Sequence, residues 1–303
     1  MRITLSSRIV ALTIGGAIAV GAQALLPQAA TAAAPKTQAT QQARRAQAAH
    51  TAAVVHKAGA WLTGDTAGRG LRLAHGGPAA AAVGKVFFSL GHTDFVCSGA
   101  LVRSQHAYVV LTAAHCVRNG RGQWAANWTF VPGYADGADP YGQYTARRFF
   151  VSPRWTGPGT GSERYDVAFV QVAPVKQGGT RSRRASAPAG LPVRFAARQT
   201  AVAPGRAYVL GYPALPPYSG QYANYCAGRA AASATRPGSV RTPCGMTAGD
   251  SGGPWLTGFS PRAGTGTVTA VTAYKLSGNL RTLYGTVLGP SARALYLSAS
   301  GHR

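Results

Sequence analysis

Thr247-Ala248-Gly249-Asp250-Ser251-Gly252-Gly253-Pro254-Trp255 sets a serine among small residues, with an acid before it and two glycines after it. That composition suits an exposed tight turn whose backbone N–H groups converge on one spot, which is what acyl transfer needs. A free serine hydroxyl is a weak nucleophile, so the turn has chemical meaning only if a base and an orienting acid stand elsewhere in the chain.

The literal pattern Gly-x-Ser-x-Gly also fits the nucleophile elbow of α/β-hydrolases, whose partners follow in the order serine, acid, histidine. The sequence excludes that order: Asp250 is the last acidic residue, and only His302 follows Ser251. The partners must lie upstream. The candidates are His115 in Leu111-Thr112-Ala113-Ala114-His115-Cys116 and Asp166 in Tyr165-Asp166-Val167-Ala168-Phe169-Val170. Taken singly, His115 could be a core histidine and Asp166 a turn acid at a strand start. Among the rival acids, Asp94 would give the order acid, histidine, serine of subtilisin, but that fold needs helices alternating with parallel strands, and the pattern lacks them. Asp136 and Asp139 fall in a Gly/Pro-rich segment that reads as a surface loop, and Glu163 is the fallback for Asp166.

Short apolar stretches split by Gly, Pro and Asn begin at Val83. Segments 85–90, 95–102, 107–112, 128–131, 145–151, 166–172, 207–210, 268–273 and 283–288 read as strands, and many short strands argue an all-β barrel or sandwich. Pro290 followed by Ser291-Ala292-Arg293-Ala294-Leu295-Tyr296-Leu297 predicts one terminal helix. The Ala/Gly/Pro-rich piece 176–192, with Arg181-Ser182-Arg183-Arg184, reads as a connector.

These segments, together with Cys97-Ser98-Gly99-Ala100-Leu101-Val102, resemble the chymotrypsin-like (trypsin-like) serine peptidases, in particular their secreted bacterial branch. The resemblance spans roughly residues 83 to 300. It implies two antiparallel β-barrels, placed at 83–180 and 181–303, with the short helix ending the second and the active site in the cleft between them. His115 would then be the general base, Asp166 its orienting acid and Ser251 the nucleophile, in a secreted endopeptidase that needs no cofactor and no metal. The N–H groups of Gly249 and Ser251 would form the oxyanion hole. In animal members the acid beside the nucleophile pairs with a new N-terminal ammonium. Here Val83-Gly84 or an internal arginine are the candidates for Asp250.

Gly245 stands six residues before the nucleophile, where a trypsin-like pocket carries an aspartate, so no charge-paired preference for Arg or Lys is implied. Thr272, Ala273 and Tyr274 match the strand lining the primary pocket, with Thr272 toward Asp166 and the backbone near Tyr274 pairing with extended substrate. Tyr274 partly filling the pocket would favour small or medium apolar side chains. Lys275 offers a positive charge there, while an ordinary exposed strand end is the bland reading of both residues.

Four cysteines in an exported chain suggest two disulfides, with three connectivities open. Joining Cys97 to Cys116 would pin the histidine's turn to the preceding strand, leaving Cys226 and Cys244 to pair by exclusion. No Cys-x-x-Cys spacing or histidine cluster supports zinc.

The N-terminus reads as an export signal over 1–34: Arg2 and Arg8, an apolar run from Ile9 to Val20, then small residues fitting an A-x-A cleavage site. Gly15, Gly16, Gly21 and Gln23 leave the run short of the ~20 residues a spanning helix needs, so no membrane attachment is expected after cleavage. Residues 35–82 have few large apolar positions and suggest a pro-segment or flexible leader. Lys+Arg number 31 against 7 acids, a net charge of +24. Subtracting the 8 basic residues and one acid before Val83 leaves 23 against 6, or +17. Polypeptides are the expected substrates of an expected monomer. The charge predicts weak association with anionic polymers, but without an aromatic-interleaved basic motif it implies no specific nucleic acid.

Overall fold

A computed structural model describes residues 66–73, 77–159, 161–175, 187–200, 205–260 and 262–301. The export signal, most of the leader, His302 and the Arg181–Arg184 connector with its expected barrel boundary lie outside the described residues.

The chain folds as two antiparallel β-barrels. Six strands close the first: β2 (Val83–Leu90), β3 (Thr93–Val102), β4 (Tyr108–Thr112), β5 (Ala126–Pro132), β6 (Tyr144–Val151) and β7 (Ala168–Pro174). The ring order is β2-β3-β4-β7-β6-β5. Their β-branched and aromatic side chains fit a pleated surface buried on one face, and Val86, Leu111, Phe130 and Phe169 fill the interior at no exposure.

The second barrel is built from β8 (Gly205–Gly211), β9 (Asn224–Ala232), β10 (Ser239–Pro243), β11 (Pro254–Ser260), β12 (Thr265–Leu276) and β13 (Asn279–Val287). They run β9-β10-β13-β12-β11-β8, and the β8–β9 pairing closes the ring. Val209, Trp255, Leu283 and Val287 form a core cluster of their own there. Strands β9, β10 and β11 were not expected from the sequence. In Asn224-Tyr225-Cys226-Ala227-Gly228-Arg229-Ala230-Ala231-Ala232, alanine and glycine are weak strand formers, and tertiary pairing with β8 along its length decides the conformation.

The end of the expected leader is packed, contrary to its composition. Strand β1 (Leu71–Arg72) pairs with β9, helix α1 (Pro78–Ala82) buries Ala79 and Ala82, and the Gly68 carbonyl accepts a hydrogen bond from Gly245 N–H at 2.7 Å. Small residues suffice here because each lies against a preformed barrel surface. Val83 continues directly from α1 into β2, where its carbonyl accepts from Gly133 N–H. Val83 is fully buried as the first residue of that strand.

Two connections lock the barrels together. Beyond β7, Leu191 bridges Val102 of the first barrel and Val193 bridges Val268 of the second. The terminal helix α2 (Pro290–Ala299), two residues longer than expected, returns to the first barrel. Tyr296 packs edge-on against Phe169, and Gln171 donates to the Ala299 carbonyl.

Candidate active site

His115 sits on the 3₁₀ turn Ala114–Cys116 directly after β4. Ala113 and Ala114 are fully buried, which seats the turn against the barrel end, and Trp128 Nε1 donates to the Cys116 carbonyl at 3.1 Å. The disulfide Cys97–Cys116 ties the turn to β3. Asp166 follows a second 3₁₀ turn, Glu163–Tyr165, two residues ahead of β7. Since β4 and β7 are neighbours, paired from Tyr108↔Val172 to Thr112↔Ala168, the residues beyond their ends meet. Asp166 accepts from His115 N–H through Oδ1 at 3.0 Å, and its Oδ2 lies 2.8 Å from His115 Nδ1. An ionised carboxylate only accepts, so this pairing puts the ring proton on Nδ1 and leaves Nε2 as a base.

The carboxylate side chain is 3 % exposed and the imidazole 28 %, a buried anchor behind an accessible ring. Burial of the imidazole disfavours its charged form, but the Asp166 charge, the hydrogen bond to it and the Asp250 charge together raise its pKa above the ordinary 6.5. Glu163, the fallback acid, is occupied elsewhere: its carboxylate accepts from Arg236 at 2.8 Å and from Gly159 N–H at 2.9 Å.

The serine turn lies between β10 and β11 and is held by backbone hydrogen bonds. In a trans peptide the C=O and the following N–H point in opposite directions, so fixing a carbonyl aims the N–H behind it. The Ala248 carbonyl accepts from Ala214 N–H at 2.7 Å, which directs Gly249 N–H the other way. The Asp250 carbonyl accepts from Gly253 N–H at 2.9 Å, which does the same for Ser251 N–H. Gly249 has φ +102°, and a Cβ there would meet Tyr212 O at 2.6 Å. A Cβ on Gly252, φ +83°, would stand 2.2 Å from Thr112 Oγ1 and 2.3 Å from Ser98 O. Only glycine lets the turn lie flush on the first barrel.

This close approach brings Ser251 to the histidine's turn. The Ser251 carbonyl accepts from Ser98 N–H at 2.7 Å and lies 3.7 Å from Cys116 Sγ. Gly252 N–H donates to the Thr272 carbonyl at 2.8 Å. The backbone of the Ser251 turn is thereby seated beside the turn that carries His115.

A sequence profile for the trypsin-like peptidase domain matches residues 97–258. The chain belongs to the trypsin-like peptidase family. Among solved structures it is similar to the protease Anisep from Arthrobacter nicotinovorans, at 33 % identity over 73 % of this chain and 96 % of that one, TM-score 0.63. It is also similar to the thermostable serine protease AL20 from an extremophilic microorganism, at 30 % identity over 75 % of this chain and 100 % of that one, TM-score 0.64. A Glu endopeptidase, at 16 % identity over 80 % of this chain and 100 % of its own, TM-score 0.59, shares the fold. No curated protein matches the chain.

Of the residues expected to line the pocket, Thr272, Ala273 and Tyr274 lie in succession on β12, and Gly245 lies in the segment after β10. Pairing with β11 stops at Pro254↔Val271, so beyond Thr272 that edge has no strand partner among the described residues. Thr272 Oγ1 accepts from Trp255 Nε1 at 3.1 Å. Tyr274 is not an ordinary exposed strand end: its ring stacks on Tyr284 at 5.0 Å and its hydroxyl donates to Ser239 Oγ. Gly245 directly follows Cys244, which is bonded to Cys226. The Lys275 ammonium donates to the carbonyls of Cys244 and Leu280.

Asp250 is 3 % exposed, and its Oδ2 has no hydrogen-bond partner among the described residues. Burial pushes its carboxyl up to about 7, against the opposing pull of Lys275, its own backbone N–H and His115. The strongest cationic influence on it comes from Lys275, and no arginine among the described residues adds to it. Sequence reading also missed Ser98, Tyr212 and Ala214, which hold the turn. A serine after a cysteine carries no local signal, and the other two act through their backbone N–H groups.

Proposed function

We propose that the protein is a secreted serine endopeptidase. Ser251 Oγ attacks the scissile carbonyl while His115 Nε2 takes its proton. Asp166 holds the Nδ1 tautomer and stabilises the imidazolium, and the N–H groups of Gly249 and Ser251 receive the oxyanion. As the intermediate collapses, His115 returns the proton to the leaving amine, and water later releases the acyl group by the same route. The observation that carries this reading is the His115–Asp166 pair standing at the first-barrel strand ends against which the Ser251 turn is seated.

The open edge of β12 beyond Thr272 suits an extended polypeptide, which would add to it as a strand. Gly245 brings no charge to the pocket, and Lys275 is committed to two carbonyls, which favours small or medium apolar side chains at the cleaved position. Export fits the two disulfides and the lack, among the described residues, of any helix long and apolar enough to cross a membrane. We place the cleaved signal at 1–34 and the barrels at 83–180 and 181–303 of a monomer.

An organophosphonate should label Ser251 in the native enzyme and fail to label His115→Ala. Equal labelling of that variant removes His115 as the base. Parallel assays on matched peptide and ester substrates decide between peptidase and esterase use of the same site.

One observation favours weak association with anionic polymers besides catalysis. Arg118, Arg148, Arg154 and Arg164 lie over the rings of Trp124, Phe150 and Tyr165, with no carboxylate partner among the described residues. Retention on a polyanion column, lost at moderate salt, is the expected behaviour.

A further inference from the structure

Ser98 is fully buried on β3 of the first barrel, yet most of its hydrogen bonds reach the second. Its hydroxyl donates to the Gly249 carbonyl at 2.8 Å and accepts from Tyr212 N–H at 2.8 Å. Its backbone N–H holds the Ser251 carbonyl at 2.7 Å, and its own carbonyl accepts from Thr112 Oγ1 at 2.8 Å. The single hydroxyl proton and the accepting oxygen are therefore both committed, at a point where neither barrel alone could satisfy them.

We propose that Ser98 is a positioning residue for the oxyanion hole. Three consecutive peptide planes run from Ala248 to Ser251. The first carries Gly249 N–H and the third carries Ser251 N–H, and each is aimed by a carbonyl bound within the second barrel. The middle plane, Gly249–Asp250, sets the angle between those two donors, and its carbonyl is the one that Ser98 Oγ holds. Gly249 has no side chain to restrict its torsions, and the plane's own N–H makes only a long bond of 3.4 Å to the Thr247 carbonyl, so the hydroxyl from the other barrel supplies the shorter restraint at 2.8 Å. The bond to Tyr212 N–H fixes the hydroxyl's own direction and anchors the segment whose Ala214 N–H aims the first plane. One side chain thereby sets both oxyanion donors and ties their geometry to the barrel that carries His115 and Asp166.

The inference rests on the peptidase reading, and the two fail differently. If that reading is wrong, native enzyme is not acylated at Ser251. If this one is wrong, native acylation is intact and the variants below turn over normally. Ser98→Ala and Ser98→Gly, the latter leaving room for a water, are compared with native enzyme at equal concentrations of sites titrated by organophosphonate. Expected is a kcat per titrated site lower by about 10- to 100-fold, below the loss from deleting an oxyanion donor outright, with KM within about threefold. Affinity for a peptidyl boronic acid, whose tetrahedral adduct places an oxygen in the hole, falls in the same proportion. Affinity for the corresponding peptide product holds, and Ser98→Thr, which keeps the hydroxyl, restores most of kcat. Unchanged kcat and boronate affinity in either variant overturns the proposal. So does an equal loss of boronate and product-peptide affinity, the signature of a general loosening.

Discussion

The two barrels share an architecture but contribute different kinds of chemical group. The first presents side chains: an imidazole 2.8 Å from a buried carboxylate that also accepts from the histidine's own backbone N–H at 3.0 Å. The second presents mainly backbone, a run of peptide planes whose N–H directions are set by carbonyls bound behind them. Side-chain chemistry can be removed one group at a time. Backbone chemistry depends on residues that must be small, so adding atoms breaks it.

The largest effect on turnover is expected from the first barrel's pair. Asp166→Asn keeps the volume but offers an amide to Nδ1 and frees the imidazole to take the wrong tautomer. Loss of kcat by about 10⁴ is expected. Because Asp166 raises the His115 pKa, the acid limb of kcat/KM should lie above 6.5 in native enzyme. Less of His115 is then neutral at low pH, and rate climbs as pH rises through that limb. The limb should fall toward lower pH in the variant, and a limb that stays put assigns it to another group.

The second barrel is tested by addition rather than removal. Gly249→Ala forces an L-residue to φ +102° with its Cβ directed at Tyr212 O, so the peptide must rotate and the oxyanion donors with it. A fall of about 10² to 10³ in kcat is expected, comparable to deleting a donor, with His115 titration unchanged. Native turnover in this variant would mean that the first plane does not need its observed direction.

That contrast also explains what could be read from the sequence. His115, Asp166 and Ser251 stood out because side chains with unusual chemistry occur in fixed chain order, and the Val- and Phe-rich strands of the first barrel announce themselves by composition. Strand β9 did not, since Ala227 and Ala230 have little strand preference and take that conformation because Tyr208 and Gly205 pair with them. The packed end of the leader was hidden for the same reason: Gly68 and Gly70 contribute backbone groups to the second barrel. Ser98 was written in the quoted motif, but its four partners are distant in sequence.

Each barrel also carries one disulfide, Cys97–Cys116 and Cys226–Cys244, with sequence separations of 19 and 18. Loops that differ by one residue predict nearly equal stabilisation, about 3 kcal/mol each in the chain-entropy model, so replacing either pair with alanines should lower the unfolding free energy by similar amounts. The kinetic consequences should differ. The first bridge holds the histidine's turn, and its removal should lower kcat several-fold. The second adjoins Gly245, and its removal should act mainly on KM. Identical kinetic profiles for the two variants would erase the division between catalytic and binding barrels.

The smallest effect is expected at the buried side chain that precedes the nucleophile on the second barrel. Asp250 is buried with its carboxyl raised to about 7 from an ordinary 3.8. The folded state thus holds the proton more tightly than the unfolded chain. Between about pH 4 and pH 7 unfolding releases it, so stability from this group is greatest at the acid end and declines as pH rises toward 7. Asp250→Asn removes that slope, and the variant should gain in thermal midpoint relative to native enzyme as pH is raised from 4 to 8. It also removes a negative charge that helps to raise the His115 pKa, so the acid limb of kcat/KM should move down by less than about one pH unit. A variant whose midpoint tracks native enzyme across that range would show that Asp250 is ionised throughout. The Lys275 ammonium would then neutralise it in the folded protein, and the second barrel would carry a working ion pair beneath its backbone site.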